Sequence, residues 1–252
     1  ERPFPRIDHL ARLLVADQAD VVLAHCEHAA DLARKRFYCQ NVRVVPHGNF
    51  IDVFPNDVTR EDARRQLDLA ADDFVYLFFG NARGYKSVET LIDAFASLKA
   101  PDAVLGLMMR NAFDPAYGQQ LTERAAASGG RVRVWTSDFF GNDEFQTYLN
   151  SADVVVLPFS EVLTSGSAIT ALGFGRGLIV PALGCLPELV DGSVGIAYDP
   201  AKPDALPAAM KMIRERDTVE IGAAARVHAE SLDWDRIATR IVAVYRGEVD
   251  GG

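Results

Sequence analysis

From residue 74 to residue 214, short β-branched or aromatic runs alternate with longer stretches in which apolar residues recur at helical spacing. Strands are predicted at Phe74–Phe79, Ala103–Met109, Arg131–Trp135, Asp153–Pro158, Leu178–Val180 and Val194–Ala197. Their near-continuous apolarity suits a parallel sheet buried on both faces. Helices are predicted over Ser87–Leu98, Ala116–Ala127, Asp143–Asn150, Ser165–Phe174 and Pro203–Arg214, each long enough to form a crossover. Right-handed crossovers then imply an α/β fold with a doubly wound parallel sheet.

The first 57 residues read differently, with helices at Arg6–Asp17 and Glu27–Phe37 and strands at Asp20–Ala24 and Val42–Val45, as pieces of another unit. The segment His47–Thr59 is rich in turn residues, among them Gly48, Asn49, Pro55, Asn56 and Asp57, and is expected to be a hinge. The expected organisation is therefore a partial amino-terminal α/β segment over 1–57, a sheet domain over 58–229 and a closing helix over 230–252. Thr218–Glu230 and Trp234–Tyr245 read as closing helices, the second capped by Asp233.

Composition narrows the class. Of 252 residues, 49% are hydrophobic and 24% charged, which excludes disorder, collagen and coiled coil. The 26 Lys and Arg against 35 Asp and Glu leave a net charge of −9, with both signs interspersed, so a nucleic acid is not an expected partner. The longest apolar runs have strand length, well short of the roughly 18 residues of a membrane span, and a soluble chain is expected. Cys26, Cys39 and Cys185, odd in number and without CxxC spacing, argue against a disulfide framework or a zinc site and suit a reducing, cytoplasmic setting. The opening Glu1-Arg2, with no leader pattern, suggests a fragment or processed chain.

In an open parallel sheet, ligands sit beyond the carboxyl ends of the strands, and two loops there are unusual. Gly80-Asn81-Ala82-Arg83-Gly84-Tyr85-Lys86 combines two glycines, which let backbone approach a ligand, with two cations suited to a diphosphate. Its spacing matches neither GxGxxG nor a Walker loop, and a tight turn with solvated cations is the plain alternative. Phe159-Ser160-Glu161-Val162-Leu163-Thr164-Ser165-Gly166-Ser167 runs into an apolar helix that Thr164 or Ser165 would cap. The free N–H groups of such a helix start can bind an anion, although a Ser/Thr cap without ligand is common. Trp135-Thr136-Ser137 ends a strand where a base could be lined, and a core Trp is the equal alternative. His25 and His28, three apart at a helix start, lack a third metal partner, His47 in its Pro-x-Gly turn reads as structural, and no DxD pair follows a strand, so no metal site is expected.

At these residues the chain resembles the GT-B glycosyltransferases, and within them the retaining family 4 type, over residues from about 20 to 246. The resemblance rests on Val44-Val45-Pro46-His47-Gly48, on Gly80 to Lys86 as a Gly-x-x-x-x-x-Lys phosphate loop, and on Ala152-Asp153-Val154-Val155-Val156-Leu157-Pro158. It continues through Thr164-Ser165-Gly166-Ser167, Gly173-Phe174-Gly175-Arg176-Gly177, Gly184-Cys185-Leu186-Pro187-Glu188-Leu189-Val190 and Asp204-Ala205-Leu206.

The resemblance implies a Rossmann-like carboxyl-terminal domain that holds a nucleotide-diphosphate sugar, joined to the last part of an acceptor-binding domain. It implies transfer to a glycan or glycolipid acceptor, with retention and with no further cofactor, in polysaccharide or glycolipid assembly. Lys86 and Arg83 are then the expected catalytic cations. Gly80, Asn81, Trp135, Thr136, Thr164, Ser165, Gly166, Ser167 and Thr170 are the expected donor contacts. Two features depart from the family: Asn81 stands where Arg often follows the glycine, and Val162 and Thr170 replace the two glutamates of Glu-x7-Glu. A subgroup with a Thr-Ser-Gly loop is similar in this respect. A missing acceptor half leaves the fragment's own activity, a peripheral membrane contact through that half and self-association open. The alternative function is a non-catalytic nucleotide-sugar-binding or assembly module.

Overall fold

The computed structural model describes residues 5–111 and 114–248. They form two compact units, Glu1–Gly48 with Leu232–Gly252, and Asn49–Ser231. The first unit opens with α1 (Pro5–Gln18), β1 (Val22–Ala24), α2 (Glu27–Phe37) and β2 (Val42–Val44). The two strands pair in parallel, Val22 opposite Val42, and α2 is the crossover that such a pair requires. Ala24, Ala30, Cys39 and Val42 form its small core.

The second unit begins with α3 (Arg60–Gln66), β3 (Phe74–Asn81), α4 (Val88–Leu98), β4 (Ala103–Arg110) and α5 (Pro115–Ala127). It continues through β5 (Val132–Ser137), α6 (Phe145–Ser151), β6 (Val154–Val156), α7 (Gly166–Gly173) and β7 (Gly177–Pro181). It ends with α8 (Leu186–Leu189), β8 (Gly195–Tyr198), α9 (Ala205–Arg214) and α10 (Thr218–Ser231). The last helix, α11 (Trp234–Tyr245), belongs to the first unit.

The six strands of the second unit pair in parallel in the order β5-β4-β3-β6-β7-β8. The chain thus starts in the middle, builds outward to β5, then returns beside β3 and builds the other way. The winding direction reverses between β3 and β6, so the loops leaving their carboxyl ends diverge around a crevice. The sheet is buried on both faces: Val75 to Phe79 of β3 and Ala103 to Met109 of β4 line the core wherever they carry apolar side chains. Helix α4 turns Val88, Leu91, Ile92, Ala94 and Phe95 inward, the spacing of an amphipathic helix.

Each strand and helix expected from the sequence is present, with ends shifted by a residue or two. Three short helical pieces occupy segments for which the sequence reading assigned no helix: α3, α8 and a 3₁₀ turn at Gly84–Lys86. The most polar of them, α3, is held by a buried charge network rather than by an apolar stripe. Arg64, 3% exposed, donates from Nε to the Ser151 carbonyl at 3.1 Å and from Nη1 to the Ala71 and Asp73 carbonyls. It also pairs with Asp153 at 2.9 Å, and the Asp153 carboxylate accepts from the Val75 amide at 2.7 Å. Burial pushes the Arg64 pKa down from its usual value, against the opposing pull of Asp153.

Among the described residues Cys39 is the free cysteine, and it is buried. The reading of three reduced cysteines is therefore corrected, since Cys26 and Cys185 are not free thiols. No described helix is long and apolar enough to cross a membrane.

Candidate functional site

The site is built where β3 and β6 part. At the end of β3, Gly80 takes φ +142°, a conformation that a side chain would strain. A Cβ placed on Gly80 would lie 3.9 Å from Oγ of Ser167, so this glycine faces the first turn of α7. Beyond it Asn81 ends the strand opposite Arg110, and its Oδ1 is buried without a hydrogen-bond partner among the described residues. Arg83 is extended and precedes the 3₁₀ turn, whose Lys86 amide donates to the Arg83 carbonyl at 2.9 Å. Ser87 closes that turn in the left-handed region, at φ 49°, and passes the chain into α4.

Lys86 is half-buried, and its ammonium lies 3.9 Å from the centroid of the Phe159 ring and 5.4 Å from that of Tyr85. Burial, with the neighbouring Arg83 charge, pulls its pKa down to about 8. Among the described residues, no carboxylate pairs with it. A desolvated cation without a counter-ion is costly and is commonly reserved for an anionic ligand.

The loop after β6 is fastened on both sides. The Ser160 amide donates to the Tyr85 carbonyl at 2.9 Å, and the Cys185 amide donates to the Leu163 carbonyl at 2.8 Å. Gly184, at φ +56°, lies so close that a Cβ there would meet the Val162 carbonyl at 2.4 Å. Of the two residues expected to cap α7, Ser165 is the cap, with Oγ accepting from the Ala168 amide at 3.2 Å. Gly166 and Ser167, the first two helical residues, have amides left without i−4 partners within the helix. Gly166 leaves room for the Phe50 ring, 3.5 Å from the position of a Cβ. Thr164 is exposed beside this helix start.

Lys86, Arg83, Gly80, Asn81 and the Thr164 to Ser167 turn thus lie on loops at one sheet edge, with Gly80 and Ser167 in direct apposition. Thr170 lies one turn further in, 6% exposed, and its hydroxyl donates to the Gly166 carbonyl at 2.9 Å. Trp135 turns back over the sheet, where a Cβ on Gly106 would meet its ring at 2.8 Å and where it packs, tilted by 60°, against Tyr148 at 5.3 Å. Thr136, next along β5, is exposed. Phe159 was not singled out as a site residue in the sequence; its position directly after a buried strand was the available signal.

In the first unit, His47 lies 5.3 Å from His25 and 5.9 Å from Trp234, ring to ring. The Trp234 indole covers Gly48, where a Cβ would fall 2.2 Å from the ring. No group of three potential metal ligands occurs among the described residues.

A doubly wound sheet with glycine, free amides and an unpaired cation at its switch point defines a class of nucleotide- and phosphate-binding α/β proteins. Residues 73–215 match the profile of the family described as glycosyl transferases group 1, and the chain belongs to that family. Similar relatives include the D-inositol 3-phosphate glycosyltransferase of Geodermatophilus obscurus, 29% identical over 97% of this chain and 56% of that protein. The enzyme of the same name from an Arthrobacter species is 26% identical over 99% of this chain and 61% of its own length. The chain therefore spans about three fifths of the relatives it matches. Among solved structures, sucrose-phosphate synthase from Thermosynechococcus elongatus superposes with a TM-score of 0.79 at 23% identity, covering 98% of this chain and 63% of that one. Anabaena HepE in complex with UDP gives 0.78 at 20% identity, over 97% of this chain and 69% of that one. These structures share the GT-B fold with the chain.

Proposed function

We propose that the chain is the donor-binding half of a glycosyltransferase that moves a sugar from a nucleotide diphosphate to a glycan or glycolipid, with retention at the anomeric carbon. The reading rests chiefly on Lys86, an unpaired and half-buried cation in the β3 loop at the switch point. Glycosyl transfer breaks the anomeric C–O bond through an oxocarbenium-like state while negative charge gathers on the leaving diphosphate. Lys86 and Arg83 would meet that charge, and the Gly166 and Ser167 amides would receive phosphate oxygens at the α7 start. Gly80 would let the backbone approach the diphosphate, and Asn81, Thr136 and Thr170 would contact the rest of the donor.

The Anabaena HepE structures contain UDP or UDP-glucose, which makes UDP the first nucleotide to try. On this reading residues 1–57 are the end of the acceptor domain, and the protein works at the cytoplasmic face of a membrane. Acceptor binding, membrane contact and any self-association fall to the full-length protein. Calorimetric titration with UDP, GDP, ADP and dTDP should show selective binding of one of them. Lys86→Ala should weaken it about 10- to 100-fold, as expected for losing a charge-assisted contact. A folded chain whose nucleotide binding ignores that substitution overturns the site.

A further inference from the structure

A lysine side chain has four rotatable bonds, and a cation meant for a ligand must be held without being neutralised. A carboxylate partner would fix the ammonium and at the same time compete with an incoming diphosphate. An aromatic face attracts the cation through its quadrupole and leaves the formal charge unbalanced. The Lys86 ammonium sits over such a face, 3.9 Å from the Phe159 ring centroid, well inside the range of this interaction. Phe159 is 1% exposed and part of the main core, so its ring is fixed by packing. The two loops also keep register, because the Ser160 amide and hydroxyl both donate to the Tyr85 carbonyl, at 2.9 and 3.3 Å. Tyr85, at 5.4 Å and 40% exposed, is the more distant and more exposed of the two rings around the ammonium.

We propose that Phe159 is a positioning residue, which holds the Lys86 ammonium on its π face and keeps that charge uncompensated for the diphosphate of the donor. The proposal rests on the donor-site reading given above. It ties the loop after β6 to the chemistry of the loop after β3 through a residue with no polar atom on its side chain.

The test uses the chain with selectively ¹³C-labelled lysine, Lys86 being assigned from Lys86→Arg. Its ε-proton resonance should be shifted upfield by the ring current in the wild type and in Phe159→Tyr. In Phe159→Leu and the unbranched Phe159→Met it should return to the ordinary lysine position. By calorimetry, UDP should bind about 3- to 30-fold more weakly to the Leu and Met variants, in proportion to a partly desolvated cation–π contact. Phe159→Tyr should retain wild-type affinity, and Lys86→Ala with Phe159→Leu should bind no more weakly than Lys86→Ala alone. An unshifted Lys86 resonance in the wild type overturns the proposal, as do additive losses in the double variant. Phe159→Leu matching the wild type beside a weakened Lys86→Ala removes the role of Phe159 and leaves the donor site standing. Lys86→Ala matching the wild type removes the donor site itself.

Discussion

Lys86 answers to two opposed demands. Burial and Arg83 lower its pKa from 10.5 to about 8, while an anion at the site would favour its charged form. The charge is present below about pH 8 and is lost above it in the free protein. Nucleotide diphosphate affinity should therefore hold between pH 7 and 8 and fall beyond, and the fall should vanish in Lys86→Met. The linked effect on stability has the opposite sign. The unfolded chain binds this proton more tightly than the folded one, so stability from this group rises with pH between about 8 and 10.5. The difference in urea midpoint between wild type and Lys86→Met, followed across that window, checks the sign. Lys86, Arg83 and the Gly80 turn could be singled out in the sequence as a candidate site because two glycines and two cations cluster directly after a buried strand. The environment of Trp135 was not, since a strand-end aromatic can face a ligand or lie back on its own sheet. Here Gly106 provides the space for it to lie back.

The loop after β6 is held on one side by the approach to α8, where the Cys185 amide donates to the Leu163 carbonyl at 2.8 Å. Gly184 is left-handed, and a Cβ on it would meet the Val162 and Leu163 carbonyls at 2.4 and 2.7 Å. Gly184→Ala should cost about 2 kcal/mol from the backbone conformation and the contact together, and should displace the α7 start. Thermal unfolding should register the loss, and nucleotide affinity should fall with Lys86 and Arg83 intact. A variant of wild-type stability and affinity would show that the loop is not held from that side. Short elements such as α8 and α3 escaped the sequence reading because a helix of one or two turns carries too few apolar positions to show periodicity. The cap of α3 was visible in principle: the Thr59 hydroxyl accepts from the Asp62 amide at 3.1 Å, with acidic residues in the first turn.

At the amino ends of the strands, opposite the site, Arg64 and Asp153 join α3, the end of α6, and strands β3 and β6. Removing one member leaves a buried charge or several carbonyls unpaired, so Arg64→Ala should lower the unfolding free energy by about 3–5 kcal/mol. Denaturant titration would measure it, and a loss below about 1 kcal/mol would mean that water replaces the guanidinium. The strands, the crossover helices and the doubly wound order were determined by the sequence alone, through apolar period and the handedness of βα crossovers. The candidate site at the strand ends could also be singled out there, because glycine, hydroxyl caps and cations follow the strands in the sequence. Only the tertiary structure decided that Gly80 faces Ser167, that Lys86 rests on Phe159, and that Arg64 is a buried pin rather than a surface charge. Those outcomes depend on which distant segments meet across the sheet, and periodicity within a segment holds no information about its neighbour in space.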